Sequence, residues 1–93
     1  MSDLHFEWDE HKAAINETKH GIRFEEARTV FFDERARLID DPDHSEGEDR
    51  FLILGLSNRL QLLIVAHCYR TEDGIIRLIS ARKATRHEAR FYP

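Results

Sequence analysis

The chain has 93 residues, 41% of them hydrophobic and 10% aromatic, which supports one modest core, so we expect a single domain, residues 1–93. The single cysteine, Cys68, excludes an internal disulfide. No apolar run approaches the roughly 20 residues of a membrane helix. The start of the sequence is acidic and shows no signal peptide. These features predict a cytoplasmic protein. The net charge of −4 is divided into −9 in residues 1–49 and +5 in residues 50–93. The division suggests partners of different sign, or solvated faces whose charges balance across the fold.

The first third of the chain predicts two helices. In "WDEHKAAINETKHG", Asp9 suits the N-cap and Gly21 suits the left-handed position that ends a helix. Lys19 and His20 fall in the last turn, where the helix dipole favours cations. The apolar residues of "RFEEARTVFFD" recur at helical spacing, which predicts a second amphipathic helix.

The rest of the chain predicts four strands and a closing helix. The strand-like runs are "ARLID", "RFLILGLS", "QLLIVAHCYR" and "IIRLISA", and "NR" and "TEDG" turns separate the last three in a way that suits antiparallel hairpins. The tail "RKATRHEARFY" predicts a C-terminal helix. The sequence therefore predicts an α+β domain, in which a small antiparallel four-stranded sheet is flanked by two N-terminal helices and a C-terminal helix.

No metal or cofactor site is expected from the sequence. The acidic stretch from Asp40 to Asp49 has Gly47 one position too late for a calcium-binding EF-hand loop, which predicts a solvated loop instead. Cys68 has no second cysteine with which to build a zinc site and suits a small buried apolar position.

Two residues of "VAHCYR" share one face of their strand, because side chains alternate along a strand. They are His67 and Tyr69, with Leu63 and Val65 on the same face. His67 is open to two interpretations. It is either a hydrogen-bonded structural histidine or a residue at the edge of a cleft.

Several arginines of interest lie in the second half of the chain. Arg50 opens a strand, Arg77 stands among the apolar residues of the last strand, and Arg82 lies where that strand is predicted to give way to a helix, a natural anion site. Arg77 either reaches the sheet edge, pairs with an upstream carboxylate, or contacts a ligand phosphate. Arginine sites without a metal suit the cleavage of RNA by its own 2′-hydroxyl, because guanidinium groups can stabilise the charge on the phosphorane. A phosphate-binding or purely interacting module would have the same composition.

Four stretches together resemble the BrnT family of bacterial toxins. They are "FEWDEHKAAINETKHGIRFEEA", "DPDHSEGEDRFLILG", "LLIVAHCYR" and "IRLISARKATRHE", and the resemblance runs from about Phe6 to Tyr92. Arg50, Arg77 and Arg82 match the motif arginines of the family, and Lys19 and His20 match its K-H-G element. His67 joins these candidates through its strand position alone. Arg23 in place of a usual capping residue and Cys68 in place of a common Thr depart mildly from the family pattern.

The resemblance implies a RelE-like fold and a metal-independent endoribonuclease that halts translation by cutting RNA. It also implies a BrnA-like antitoxin with a ribbon-helix-helix domain, two toxins on each antitoxin dimer, and operator DNA bound only through the antitoxin. Arg50, Arg77 and Arg82 would contact phosphate, and Lys19, His20 or His67 would transfer protons. The alternative is a catalytically inactive RelE-like module that binds an antitoxin and acts as a transcriptional co-repressor.

Overall fold

The computed structural model describes residues 4–40, 50–70 and 74–93. Its elements in chain order are β1 (His5–Glu7), α1 (Glu10–His20), α2 (Phe24–Ala27), a 3₁₀ helix (Arg28–Phe32), β2 (Arg37–Asp40), β3 (Phe51–Leu56), β4 (Leu62–Arg70), β5 (Ile75–Lys83) and α3 (Arg86–Ala89). No helix within these ranges has the length and apolar character needed to cross a membrane. Residues 41–49, where the sequence predicts a solvated loop, lie outside the described ranges.

The five described strands form one mixed sheet in the order β1-β5-β4-β3-β2. The α+β class is confirmed, but the expectation of a four-stranded antiparallel sheet is wrong. β1 adds a fifth strand, which runs parallel to β5 and pairs Glu7 with Arg77. Three residues are too few to show strand alternation, and the partner of β1 lies about 70 residues away in the chain. The sequence pattern therefore could not reveal β1.

Helix α1 begins and ends at the predicted residues. The Asp9 side chain accepts a hydrogen bond from the Lys12 backbone N–H, and Gly21 adopts a left-handed φ of 73°. The buried Asn16 side chain bonds the backbone of Ala81 in both directions, at 3.0 Å each. Because β1 pairs only with residues 75–77 of β5, Asn16 satisfies backbone groups of β5 beyond the end of β1. Helix α1 is thus attached to the edge of the sheet.

The second predicted helix is one α-helical turn followed by a 3₁₀ helix. Arg23 stands at its N-cap and makes no capping hydrogen bond with its side chain, consistent with a start that lacks a usual capping residue. This segment buries Phe24, Ala27 and Val30 against one face of the sheet. Gly55 of β3 allows the close approach, because a Cβ there would lie 2.6 Å from Val30 Cγ1.

The C-terminal helix is shorter than predicted. β5 continues through Lys83, since Arg82 and Lys83 still pair with Ile64 and Leu63 of β4. Only the four residues of α3 are α-helical, and Thr85 and Glu88 form a capping box at their start. Arg82 therefore lies within a strand, and the expectation that it occupies a helix N-terminus is wrong.

Candidate functional site

A β-bulge in β5 determines where two of the predicted arginines point. Ala66 pairs with Ser80 and His67 pairs with Leu78, so Ile79 has no partner on β4. Two residues five apart on a regular strand would point to opposite faces. The extra residue, Ile79, shifts the alternation of β5 by one position. Arg77 therefore pairs with Cys68 and Arg82 pairs with Ile64, and these two partners lie on one face of β4. Arg77 and Arg82 therefore share the face of the sheet opposite the core formed with α2.

Arg50 belongs to the same face. It directly precedes Phe51, which pairs with His67, so extending the register by one residue sets Arg50 opposite Cys68. Cys68 pairs on its other side with Arg77, and Arg77 pairs with Glu7. A row of side chains thus crosses the sheet from Arg50 to Glu7. The structure brings the three predicted arginines to one face of the sheet.

Arg77 is bound to a carboxylate, which agrees with one of the three interpretations of this residue, pairing with an upstream carboxylate. Its Nη1 donates to Glu7 Oε2 at 2.7 Å, and Arg70 Nη1 donates to the same oxygen at 3.1 Å. The hydrogen bond from Arg77, together with that from Arg70, lowers the pKa of Glu7 below its ordinary value. Two guanidinium groups therefore share one negative charge, and the cluster of Glu7, Arg70 and Arg77 keeps a net charge of +1.

Arg82 is held more tightly. Its Nη1 and Nη2 donate to the two oxygens of Glu88, each at 2.8 Å. Glu88 also accepts from the Thr85 backbone N–H, and these contacts, chiefly that from Arg82, lower the pKa of Glu88 to about 2. Arg82 thus fastens α3 to β5, which is a structural role that the sequence analysis did not assign to it.

Lys19 and His20 line a groove of about 220 Å³ between α1 and the bulge of β5. Ile79 and Ser80 form the strand side of the groove. Lys12 also lines it, and lies about two turns before Lys19 on the same face of α1. No described carboxylate lies within ion-pairing distance of Lys19. The groove therefore has cationic groups, an imidazole and a hydroxyl beside the strand that carries Arg77 and Arg82.

His67 lies on the other face of the sheet, apart from the arginines. It is fully buried, and the rings of Phe31, Phe51 and Tyr69 surround it. Its Nδ1 lies 3.1 Å from the Val65 carbonyl oxygen, which can only accept, so Nε2 is left to accept from the Tyr69 hydroxyl at 3.3 Å. Burial lowers the pKa of His67 below its ordinary value. The predicted sharing of one strand face by His67 and Tyr69 is confirmed, and the contacts agree with a structural histidine.

The sequence analysis missed three residues near the candidate site, Glu7, Lys12 and Ser80. Lys12 had a usable signal, because it precedes Lys19 by seven residues on a predicted helix. Glu7 had none, since β1 was not recognisable. Ser80 depends on the bulge, which alternation of apolar and polar residues does not reveal.

The fold and the site can be compared with known proteins. A family model described as "Ribonuclease toxin, BrnT, of type II toxin-antitoxin system" matches residues 8–88. No curated protein sequence matches the chain. Among solved structures, the ribonuclease toxin BrnT of Brucella abortus is similar, with a TM-score of 0.68 and 24% sequence identity over 89% of this chain and 99% of that chain. At this identity the likeness shows a shared fold, whereas the family match covers most of the sequence.

Proposed function

This chain belongs to the BrnT family of ribonuclease toxins of type II toxin–antitoxin systems, and on that premise we propose that it is a metal-independent endoribonuclease with a RelE-like mode of action. It cleaves RNA in the cytoplasm and thereby inhibits translation. The observation that best supports this proposal is the groove lined by Lys19 and His20, which adjoins the strand that carries Arg77. Cations and an imidazole beside an exposed surface suit phosphodiester chemistry.

The proposed reaction uses a nucleophile that the substrate already contains. The 2′-hydroxyl oxygen attacks the adjacent phosphorus, the bond to the 5′-oxygen breaks, and a 2′,3′-cyclic phosphate remains. His20 or Lys19 accepts the proton of the 2′-hydroxyl, and the other returns a proton to the leaving 5′-oxygen. Arg77 stabilises the charge that grows on the phosphorane oxygens. A metal-activated water is not needed, because the attacking oxygen belongs to the ribose.

The predicted residues outside this pair take other roles in the proposal. His67 faces the opposite side of the sheet, so we assign it no proton transfer. Arg50 lies in the same cross-strand row as Arg77 and contacts a neighbouring phosphate. Arg82 holds α3 in place through Glu88 and supports the basic surface.

The test uses purified protein, an end-labelled RNA and excess chelator. We expect cleavage that leaves cyclic phosphate ends, and no cleavage of a linkage whose 2′-hydroxyl is replaced by hydrogen. His20→Ala and Lys19→Ala should each lower kcat by about 100-fold or more, the usual contribution of a proton-transfer group. Arg59→Ala removes an exposed arginine from the β3–β4 turn and should leave kcat unchanged. Cleavage that depends on added metal, or that proceeds at the 2′-deoxy linkage, would contradict the mechanism.

The family implies an antitoxin partner, and we propose that it is a BrnA-like protein with a ribbon-helix-helix domain. The excess of positive charge in residues 50–93 favours an acidic antitoxin segment over this surface. The acidic N-terminal half disfavours contact with DNA, so operator binding belongs to the antitoxin.

Two measurements test this assembly. A gel-shift assay should show no operator binding by the isolated chain, and tight binding would contradict the proposal. Light scattering of the copurified pair should give the mass of two toxins on one antitoxin dimer. A one-to-one mass would refute this stoichiometry.

One observation favours a second candidate function, that of an inactive module that binds the antitoxin and co-represses transcription. Glu7 and Glu88 already occupy Arg77 and Arg82, which would otherwise be available for phosphate. Induced expression without the antitoxin separates the two functions. Growth arrest that is lost in His20→Ala supports the ribonuclease, and normal growth with no RNA cleavage supports the co-repressor.

A further inference from the structure

The groove between α1 and the β5 bulge combines apolar and cationic groups. Ile15 of α1 is 52% exposed and faces Ile79 across the groove. Lys12 and Lys19 flank Ile15 at spacings of three and four residues, so the three side chains form one stripe along the helix. Ile15 thus adds exposed apolar surface to a groove that two cationic side chains flank. The groove suits a ligand that is flat and apolar on one part and anionic on another.

We propose that this groove binds one nucleotide of single-stranded RNA, with the base between Ile15 and Ile79 and the flanking phosphate beside Lys12 and Lys19. The inference rests on the proposed function in taking RNA as the ligand. It adds a base-binding subsite next to the proposed proton-transfer groups, and so a determinant of which nucleotide stands at the cleavage position. Sequence-specific recognition of RNA relies on unstacked bases held in such pockets.

The dimensions of the groove support a single base. Its volume of about 220 Å³ lies below the roughly 300–1,000 Å³ of sites that enclose a whole small molecule. Ser80 lines the same groove and offers a hydroxyl to the polar edge of a base. The two sides of the groove are held together, because Asn16, which lines it, bonds α1 to the backbone of Ala81 in β5.

The test measures binding without cleavage. The probe is a fluorescent pentanucleotide with 2′-O-methyl groups, compared with the same strand lacking one base at its centre. We expect the abasic strand to bind about tenfold more weakly, because it lacks the apolar surface that Ile15 and Ile79 would cover. Ile15→Glu places a negative charge at the groove and should remove this difference, and Leu60→Glu makes a comparable change at the exposed β3–β4 turn and should preserve it.

Each outcome decides the proposal. Equal binding of the two strands by the unmodified chain, or an unchanged difference in Ile15→Glu, would overturn it. Antitoxin binding that is lost in Ile15→Glu while RNA binding is unchanged would assign the groove to the antitoxin instead. The result is separable from the ribonuclease test, because the probe cannot be cleaved. Base-dependent binding without cleavage of ordinary RNA would keep the subsite and refute the proposed activity.

Discussion

Arg82 of β5 and Glu88 of α3 are joined by two parallel hydrogen bonds of 2.8 Å. They are six positions apart in the chain, so the pair closes a short loop that contains Thr85. The Arg82 side chain is 37% exposed and that of Glu88 is 21% exposed, so solvent screens the pair in part and its contribution to stability is modest. This pair is the main polar contact between the C-terminal helix and the sheet among the described residues.

Glu88→Gln should destabilise the chain by about 1 kcal/mol at pH 7, because it removes the charge from a two-pronged ion pair while keeping the shape of the side chain. The pKa of Glu88 is about 2 in the folded chain, against an ordinary value of 4.5. The stabilisation is therefore complete above about pH 4.5 and is lost as the pH falls towards 2. Urea unfolding should show a difference between the two chains that shrinks from pH 7 to pH 3. A difference that stays constant would contradict the assignment.

Glu7→Gln should strengthen RNA binding several-fold, because it removes the negative charge that now occupies Arg77 and Arg70. The slope of log affinity against log salt should steepen by about one, as one more phosphate is neutralised. Fluorescence anisotropy across a salt series measures both quantities. Glu25→Gln removes the same charge from an exposed position on α2 and serves as the control. If Glu7→Gln instead weakens binding, the carboxylate orients these arginines rather than competing with phosphate.

Tyr69→Phe should cost about 1 kcal/mol of stability, since it leaves the buried Nε2 of His67 without a donor. RNA cleavage should be unaffected, because His67 and Tyr69 are not among the residues that line the groove. Burial lowers the pKa of His67 below 6.5, so its contribution to stability is complete above pH 6.5 and is lost as the pH falls through the folded value. Urea unfolding of His67→Leu should lack this pH dependence. A large loss of kcat in Tyr69→Phe with stability intact would indicate that His67 takes part in catalysis.

Leu60→Gly should stabilise the chain by about 1 kcal/mol. Leu60 is the one non-glycine residue of the described ranges with a positive φ, 60°, a backbone conformation that a Cβ atom strains. Its side chain is 78% exposed, so it contributes little packing energy to offset that strain. Leu60→Ala keeps the Cβ that causes the strain and should give no such gain. Thermal unfolding of the three chains measures the difference. A loss of stability in Leu60→Gly would mean that the leucine packs more than its exposure suggests.

The elements with local signals were predictable from the sequence. Asp9 and Gly21 mark the two ends of α1 because capping depends only on neighbouring residues. β3 and β4 follow from their continuous apolar runs, and Tyr69 shares a face with His67 because alternation on a regular strand is strict. Elements fixed by distant contacts were not predictable. β1 exists through its pairing with β5, and β5 extends past Ala81 because β4 continues beside it.

The candidate site was predictable in its residue types but not in its arrangement. The sequence indicated that Arg77 needs a partner, and Glu7 supplies it from the far end of the chain. It grouped Lys19, His20 and His67 as equal candidates for proton transfer. The structure separates them, because Lys19 and His20 line the groove on α1, whereas His67 is fully buried on the core face of the sheet. The face that a residue occupies beyond a β-bulge depends on the register of the strand. Composition does not reveal this register.

The bulge at Ile79 has a consequence for spacing along β5. Deleting Ile79 would make the strand regular and would leave the pairs Ala66–Ser80 and His67–Leu78 in place, and Arg77 and Arg82, then four residues apart, would still face one way. The pairs Glu7–Arg77 and Asn16–Ala81 constrain the strand from its two ends. The extra residue is therefore accommodated between these two attachments without displacing either pair. Its visible effect is local, because it adds the side chain of Ile79 to the lining of the groove.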